Sequence, residues 1–103
     1  MSKKEQLKNL SVFIGLRAAH EVLIKLTNKP ESNKHLEQEA DTYSDLSFEL
    51  AKGNWDKGDV ERIKELAKNK CNKKLEKYQD IGNEKYEEVD DIIANIMMDL
   101  ELI

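Results

Sequence analysis

The chain has 103 residues, of which 17 are basic and 21 acidic, giving a net charge of −4 and a charged share of 37%, against roughly 25% in an average domain. With four Gly, one Pro and one Cys, the composition excludes collagen-like, Gly-rich all-β and disulfide-stapled folds. Leu, Ile, Val and Phe make up about a quarter of the chain, enough to bury a core, and Ala, Glu, Lys, Leu and Arg make up nearly half, so the expected class is all-α in a single domain over residues 1–103.

Helix 1 is predicted over residues 4–27. Between Leu10 and Leu26, 11 of 17 positions are apolar, and they fall on two arcs of the helical wheel. Leu10, Ile14, Ala18 and Val22 form one; Phe13, Leu16, Leu23 and Ile24 form the other, which also carries Arg17 and His20. A helix apolar on most sides is buried on most sides, so helix 1 is expected to be central or shared with a partner. Arg17, His20, Glu21 and Lys25 interrupt this stretch, which excludes a signal core and a membrane span.

A break at Asn28, Lys29 and Pro30 precedes helix 2, predicted over 33–52 with Ser32 as its N-cap. Its stripe is Leu36, Ala40, Tyr43, Ser47, Leu50 and Ala51, with Leu46 beside it. The next break runs from Gly53 to Gly58. With Asp56 as N-cap, Trp55 and Val60 occupy the two positions of a hydrophobic staple, and Asp59 sits where a capping box places its reciprocal acid. Helix 3, predicted over 57–79, aligns Val60, Ile63, Ala67, Cys71, Leu75 and Tyr78. Gly82 then reads as a helix stop and Asn83 as an N-cap, opening helix 4 over 84–101 with Tyr86, Val89, Ile93, Ile96, Met97 and Leu100 on one face. The glycines and the proline are read as marking the three turns.

Charge alternates along these segments: +4 over residues 1–30, −4 over 31–52, +3 over 56–79 and −6 over 84–103. Short connections make consecutive helices antiparallel neighbours, so the expected fold is a four-helix up-down-up-down bundle with opposite charges across each adjacent pair.

Residues able to carry chemistry are few. A di-iron carboxylate site needs Glu-x-x-His, yet Arg17 and Ser32 stand three residues before His20 and His35, so that site is excluded. His35, Glu39 and Cys71 do not complete a zinc set. Arg17 and His20 can hold an anion, but an arginine and a histidine among apolar residues fit the rim of a protein contact better. Glu84, Glu87, Glu88 and Asp91 can chelate magnesium for a nucleotide-like substrate; helix 2 offers no matching Glu-x-x-Glu, and acids suit the first turns of a helix. The lysines of helix 3 (Lys64, Lys68, Lys70, Lys73, Lys74 and Lys77) raise nucleic-acid binding, but they scatter over the wheel among Glu61, Glu65 and Glu76, which disfavours it. Cys71 lies on a buried stripe.

The expectation is therefore a cytoplasmic, non-enzymatic interaction or adaptor protein without metal or cofactor. Its partner is expected to be a protein, with a homodimer foremost and no membrane involved. The expected contact residues are Phe13, Leu16, Arg17, His20, Ile24, Met98, Leu102 and Ile103, because helix 1 and the C-terminal run hold more apolar surface than one small core needs.

Overall fold

In the computed structural model, residues 2–26, 30–78 and 82–103 are described, without the side chains of 30–37, 40, 83 and 84. The described residues form α1 (Lys3–Leu26), α2 (Pro30–Ala51), α3 (Lys57–Leu75), a 3-10 turn (Asn83–Tyr86) and α4 (Val89–Asp99), with no strand among them. No helix of the described residues is long and apolar enough to cross a membrane.

α1 organises the rest, packing along α2 and α3 and over a shorter length on α4, while α3 also meets α4. Its first arc, Leu10, Ile14, Ala18 and Val22, is buried, as are Ala19 and Leu23. The predicted stripes of the other helices turn inward with it: Ile63, Ala67, Cys71 and Leu75 from α3, and Val89, Ile93, Ile96, Met97 and Leu100 from α4. From α2, Ser47 is buried and Leu50 and Ala51 pack against the core; the expected core positions Leu36 and Ala40 lie outside the described side chains. The buried hydroxyls of Ser11 and Ser47 donate to the carbonyls of Leu7 (2.8 Å) and Tyr43 (2.6 Å), so neither is left unsatisfied.

The local signals around α3 work as the sequence implies. Asp56 accepts from the Asp59 amide at 2.8 Å, and Asp59 accepts from the Asp56 amide at 3.3 Å. Such a cap is worth about 1 kcal/mol. Trp55 and Val60 both pack on the core, and the Trp55 indole donates to the Leu50 carbonyl at 3.3 Å, tying the connection back to α2.

Five expectations need correction. α2 begins at Pro30, a helix start that needs no amide from proline, so Ser32 lies inside its first turn instead of capping it. α3 stops at Leu75; Lys77 and Tyr78 donate to Lys74 and Leu75 in tighter i to i+3 bonds, which ends the helix well before Gly82. α4 starts at Val89, after the 3-10 turn and with no side-chain cap. Tyr86 and Val89, three apart, satisfy a 3-10 period as well as an α period, so the apolar pattern did not separate the two. Buried Lys85 holds the turn, its ammonium donating to the Tyr78 carbonyl at 2.8 Å past the end of α3. Gly15 marks no turn, because it sits within α1 against α3.

The fifth concerns neighbours. α2 and α3 are consecutive, yet among the described residues they scarcely touch. Opposite charges do face each other, but mostly around α1: Lys3 with Asp59 (2.9 Å), Arg17 with Asp99 (3.8 Å) and Lys25 with Glu88 (2.7 Å), plus Lys68 with Asp90 (3.0 Å) between α3 and α4.

Candidate protein-contact surface

The second arc of α1 is largely covered from within the chain. Phe13 stacks on Tyr43 of α2 with ring centroids 6.2 Å apart, and His20 tilts against the same ring at 5.4 Å. His20 is only 2% exposed; one ring nitrogen meets the Leu16 carbonyl at 2.7 Å and the other the Glu39 carboxylate. Arg17 lies between Glu21 (3.6 Å) and Asp99 (3.8 Å), so the anions it meets are the protein's own. Burial pushes the Glu21 carboxyl above its ordinary range; Arg17 opposes this and Asp99 adds to it. Leu16 and Ile24 remain half-buried at the edges of this face.

The C-terminal run divides differently. Glu101 takes a left-handed backbone (φ 60°), so its amide reaches the Met98 carbonyl and the Leu102 amide reaches back to Met97 at 2.9 Å. This is a Schellman ending, and it folds Leu102 against the core next to Met97. Met98 and Ile103 are left outside, each 58% exposed. A third exposed residue joins this end of the molecule. Phe48 of α2, 54% exposed, lines a shallow cleft of about 330 Å³ with Ala51, Lys52, Asp99, Leu100 and Glu101. The Lys52 ammonium stands 5.2 Å from the Phe48 ring centre, a placement that favours the cation over the ring face. Leu46, also on α2, is 42% exposed.

Of the expected contact residues, Met98 and Ile103 are thus at the open surface, Leu16, Ile24 and Leu102 at its margins, and Phe13, Arg17 and His20 engaged by other parts of the chain. Phe48 was not among them. Its signal was available, since it is a large aromatic lying off the apolar stripe of its helix.

The acidic run of residues 84–91 is partly engaged: Glu88 pairs with Lys25 and Asp90 with Lys68, while the side chains of Glu84 and His35 lie outside the description. Among the described residues, no three of His, Cys, Asp and Glu gather as a metal site would require. Cys71 is fully buried, and burial pushes its thiol pKa up to about 12, far from the thiolate that nucleophilic or redox work needs. Comparison with known proteins finds no matching family model, no similar curated protein and no similar solved structure.

Proposed function

We propose that the protein is a small non-enzymatic interaction module that self-associates through its C-terminal apolar end. The observation that carries this reading is the exposure of Met98, Ile103 and Phe48, each more than half exposed where most other large apolar side chains among the described residues are covered, with Phe48 set against Asp99, Leu100 and Glu101 at the C-terminal end of α4. Phe48 beside Asp99, Glu101 and Lys52, with Met98 and Ile103 exposed on the same C-terminal run, supplies aromatic and Met anchors with a polar margin. Leu16 and Ile24 are the residues through which α1 would contribute.

The fold that fits this role is an up-down-up-down bundle hung on α1. Three sets of contacts support it: Lys25 with Glu88 and Arg17 with Asp99 run α4 against α1, Phe13 and His20 with Tyr43 and Glu39 run α2 against α1, and Lys3 with Asp59 and Gly15 with Ala67 run α3 alongside it. A single buried thiol suits a reducing, cytoplasmic setting. The reading of the helix 4 carboxylates as a magnesium site has less support, because Lys25 draws on Glu88.

Sedimentation at micromolar concentration tests the proposal. The wild type is expected to dimerise weakly, since three anchors make a small interface centre. The double substitution Met98→Glu/Ile103→Glu is expected to give a monomer with unchanged helical circular dichroism. A wild type that stays monomeric at ~100 µM, where a micromolar complex would be mostly formed, overturns the reading.

A further inference from the structure

Most cations at the helix contacts are used by the fold: Lys3, Lys25 and Lys68 each meet a carboxylate of another segment. A second group is not. Lys8, Lys70, Lys73, Lys74 and Lys77 make no ion pair among the described residues, and all five line two adjoining hollows between α1 and α3, of about 720 and 600 Å³. The hollows share Lys70, Lys73 and Glu76, and among the described residues Glu76 is the one acid in either lining. Val12 and Leu16 of α1 and Leu66 of α3, all half-buried, form an aliphatic floor beside the polar Ser11, Asn69 and Asn72. Among the described residues α2 and α3 scarcely touch, and Val12 and Leu16 of α1 are left half-buried. From Leu66 to Lys77 the hollows together form a trough of ~16 Å, about three turns of helix.

We infer that this lysine-rimmed trough is a docking site for an acidic amphipathic helix of a partner protein. The aliphatic floor offers burial to Leu or Ile side chains spaced at i, i+4 and i+7, and the unpaired lysines match acids on the flanks of the same helix. A nucleic acid fits the lining less well: among the described residues the lining has no aromatic ring on which a base would stack, its aliphatic residues give phosphates nothing, and the chain is net acidic. The inference rests on the interaction-module reading but not on the anchors of self-association, since Met98, Ile103 and Phe48 lie in neither hollow and only Leu16 is common to the two surfaces.

The test is fluorescence anisotropy on the full chain with three labelled probes. These are an amphipathic peptide of about 16 residues, with Leu at i, i+4 and i+7 and Glu elsewhere, an all-Glu peptide of the same length, and single- and double-stranded DNA of about 25 nucleotides. The amphipathic peptide is expected to bind at low micromolar concentration in about 50 mM salt and several-fold more weakly at about 300 mM. The all-Glu peptide is expected to bind at least about tenfold more weakly, for want of apolar burial. Lys70→Glu/Lys73→Glu should weaken the amphipathic peptide at least about tenfold, while Lys64→Glu, outside the trough, should change it less than about twofold. Both variants alter exposed or half-exposed positions, and circular dichroism verifies that they fold.

Equal binding of the two peptides, no effect of Lys70→Glu/Lys73→Glu, or tighter binding of DNA lost in that variant each overturns the inference, the last by making the trough a nucleic-acid surface. Dissociation of a wild-type dimer by Lys70→Glu/Lys73→Glu also overturns it, by making the acidic end of a second copy the occupant. A chain that dimerises yet binds no peptide removes the trough alone; a monomer that binds the peptide removes self-association alone.

Discussion

Gly15 of α1 and Ala67 of α3 approach so closely that a Cβ on Gly15 would stand 2.6 Å from the Ala67 carbonyl oxygen and 2.8 Å from the Cβ of Lys70. The crossing of the two helices depends on this missing methyl. Gly15→Ala gains up to ~1 kcal/mol of helix propensity, but it presses a methyl against backbone that has no rotamer to move, an overpacking cost of about 1–3 kcal/mol. Urea denaturation is expected to show a net loss of about 1–2 kcal/mol, whereas a more stable variant would mean that the helices separate freely at this point.

The Schellman ending holds a glutamate where glycine is the usual residue. A left-handed backbone costs a side-chain-bearing residue about 1–2 kcal/mol, and glycine removes that cost while losing more chain freedom on folding, by about 0.5–1 kcal/mol. Glu101→Gly is therefore expected to stabilise the fold by about 0.5–1 kcal/mol in thermal or urea unfolding. A loss of stability would show that the Glu101 side chain contributes more than its backbone strain costs.

Glu21 sets a pH dependence of definite sign. Burial raises its carboxyl pKa from an ordinary 4.5, overriding the opposing pull of Arg17. A group whose folded pKa is raised holds its proton more tightly in the folded state, so the stability it contributes is present below the unfolded value and lost as pH rises through the folded one. Relative to Glu21→Gln, the wild type should thus lose stability as pH rises upward from about 4.5. Paired urea titrations across that range measure it, and a difference moving the other way would assign control of Glu21 to the Arg17 pair.

Lys3 and Asp59 give the opposite slope in acid. The hydrogen bond from Lys3, followed by that from the Asp56 amide, holds the Asp59 carboxyl below its ordinary range. That contribution is present above the unfolded value near 3.8 and lost as pH falls through the folded value. Asp59→Asn should be less sensitive than the wild type to acidification below about pH 4, read by helical circular dichroism; an identical acid transition would mean that the pair does not constrain α3.

Cys71 supplies an internal reporter. Its thiol is fully buried, with a pKa pushed up to about 12, so a disulfide reagent at pH about 8 should label it only through unfolding. Labelling is expected to quicken with urea in step with loss of helix. Immediate labelling without denaturant would place the thiol outside the core.

Much of the fold was legible because its signals act within a few residues. Ile63, Ala67, Cys71 and Leu75 share a face at helical spacing, and all are buried; the Asp56 and Asp59 box spans three residues and forms as its spacing implies. Ser2 and Glu5 carry a signal of the same spacing, and the Ser2 hydroxyl accepts from the Glu5 amide at 3.2 Å. The candidate contact surface was less legible. Leu102 and Ile103 are adjacent and equally apolar, and only the left-handed turn at Glu101 sends one to the core and leaves the other exposed.

What the amino-acid sequence determined by itself is an all-helical chain, the approximate spans of its first three helices, the inward stripes and the alternation of charge, because capping and apolar periodicity are short-range effects. The tertiary structure alone decided which face meets which. It laid Tyr43 over Phe13 and His20 and so covered the arc of α1 that composition offers to a partner. Among the described residues it also kept α2 and α3 apart, leaving Val12 and Leu16 of α1 half-buried beside Lys70 and Lys73 of α3. Coverage depends on distances between segments far apart in the chain, and no local pattern of residues encodes those.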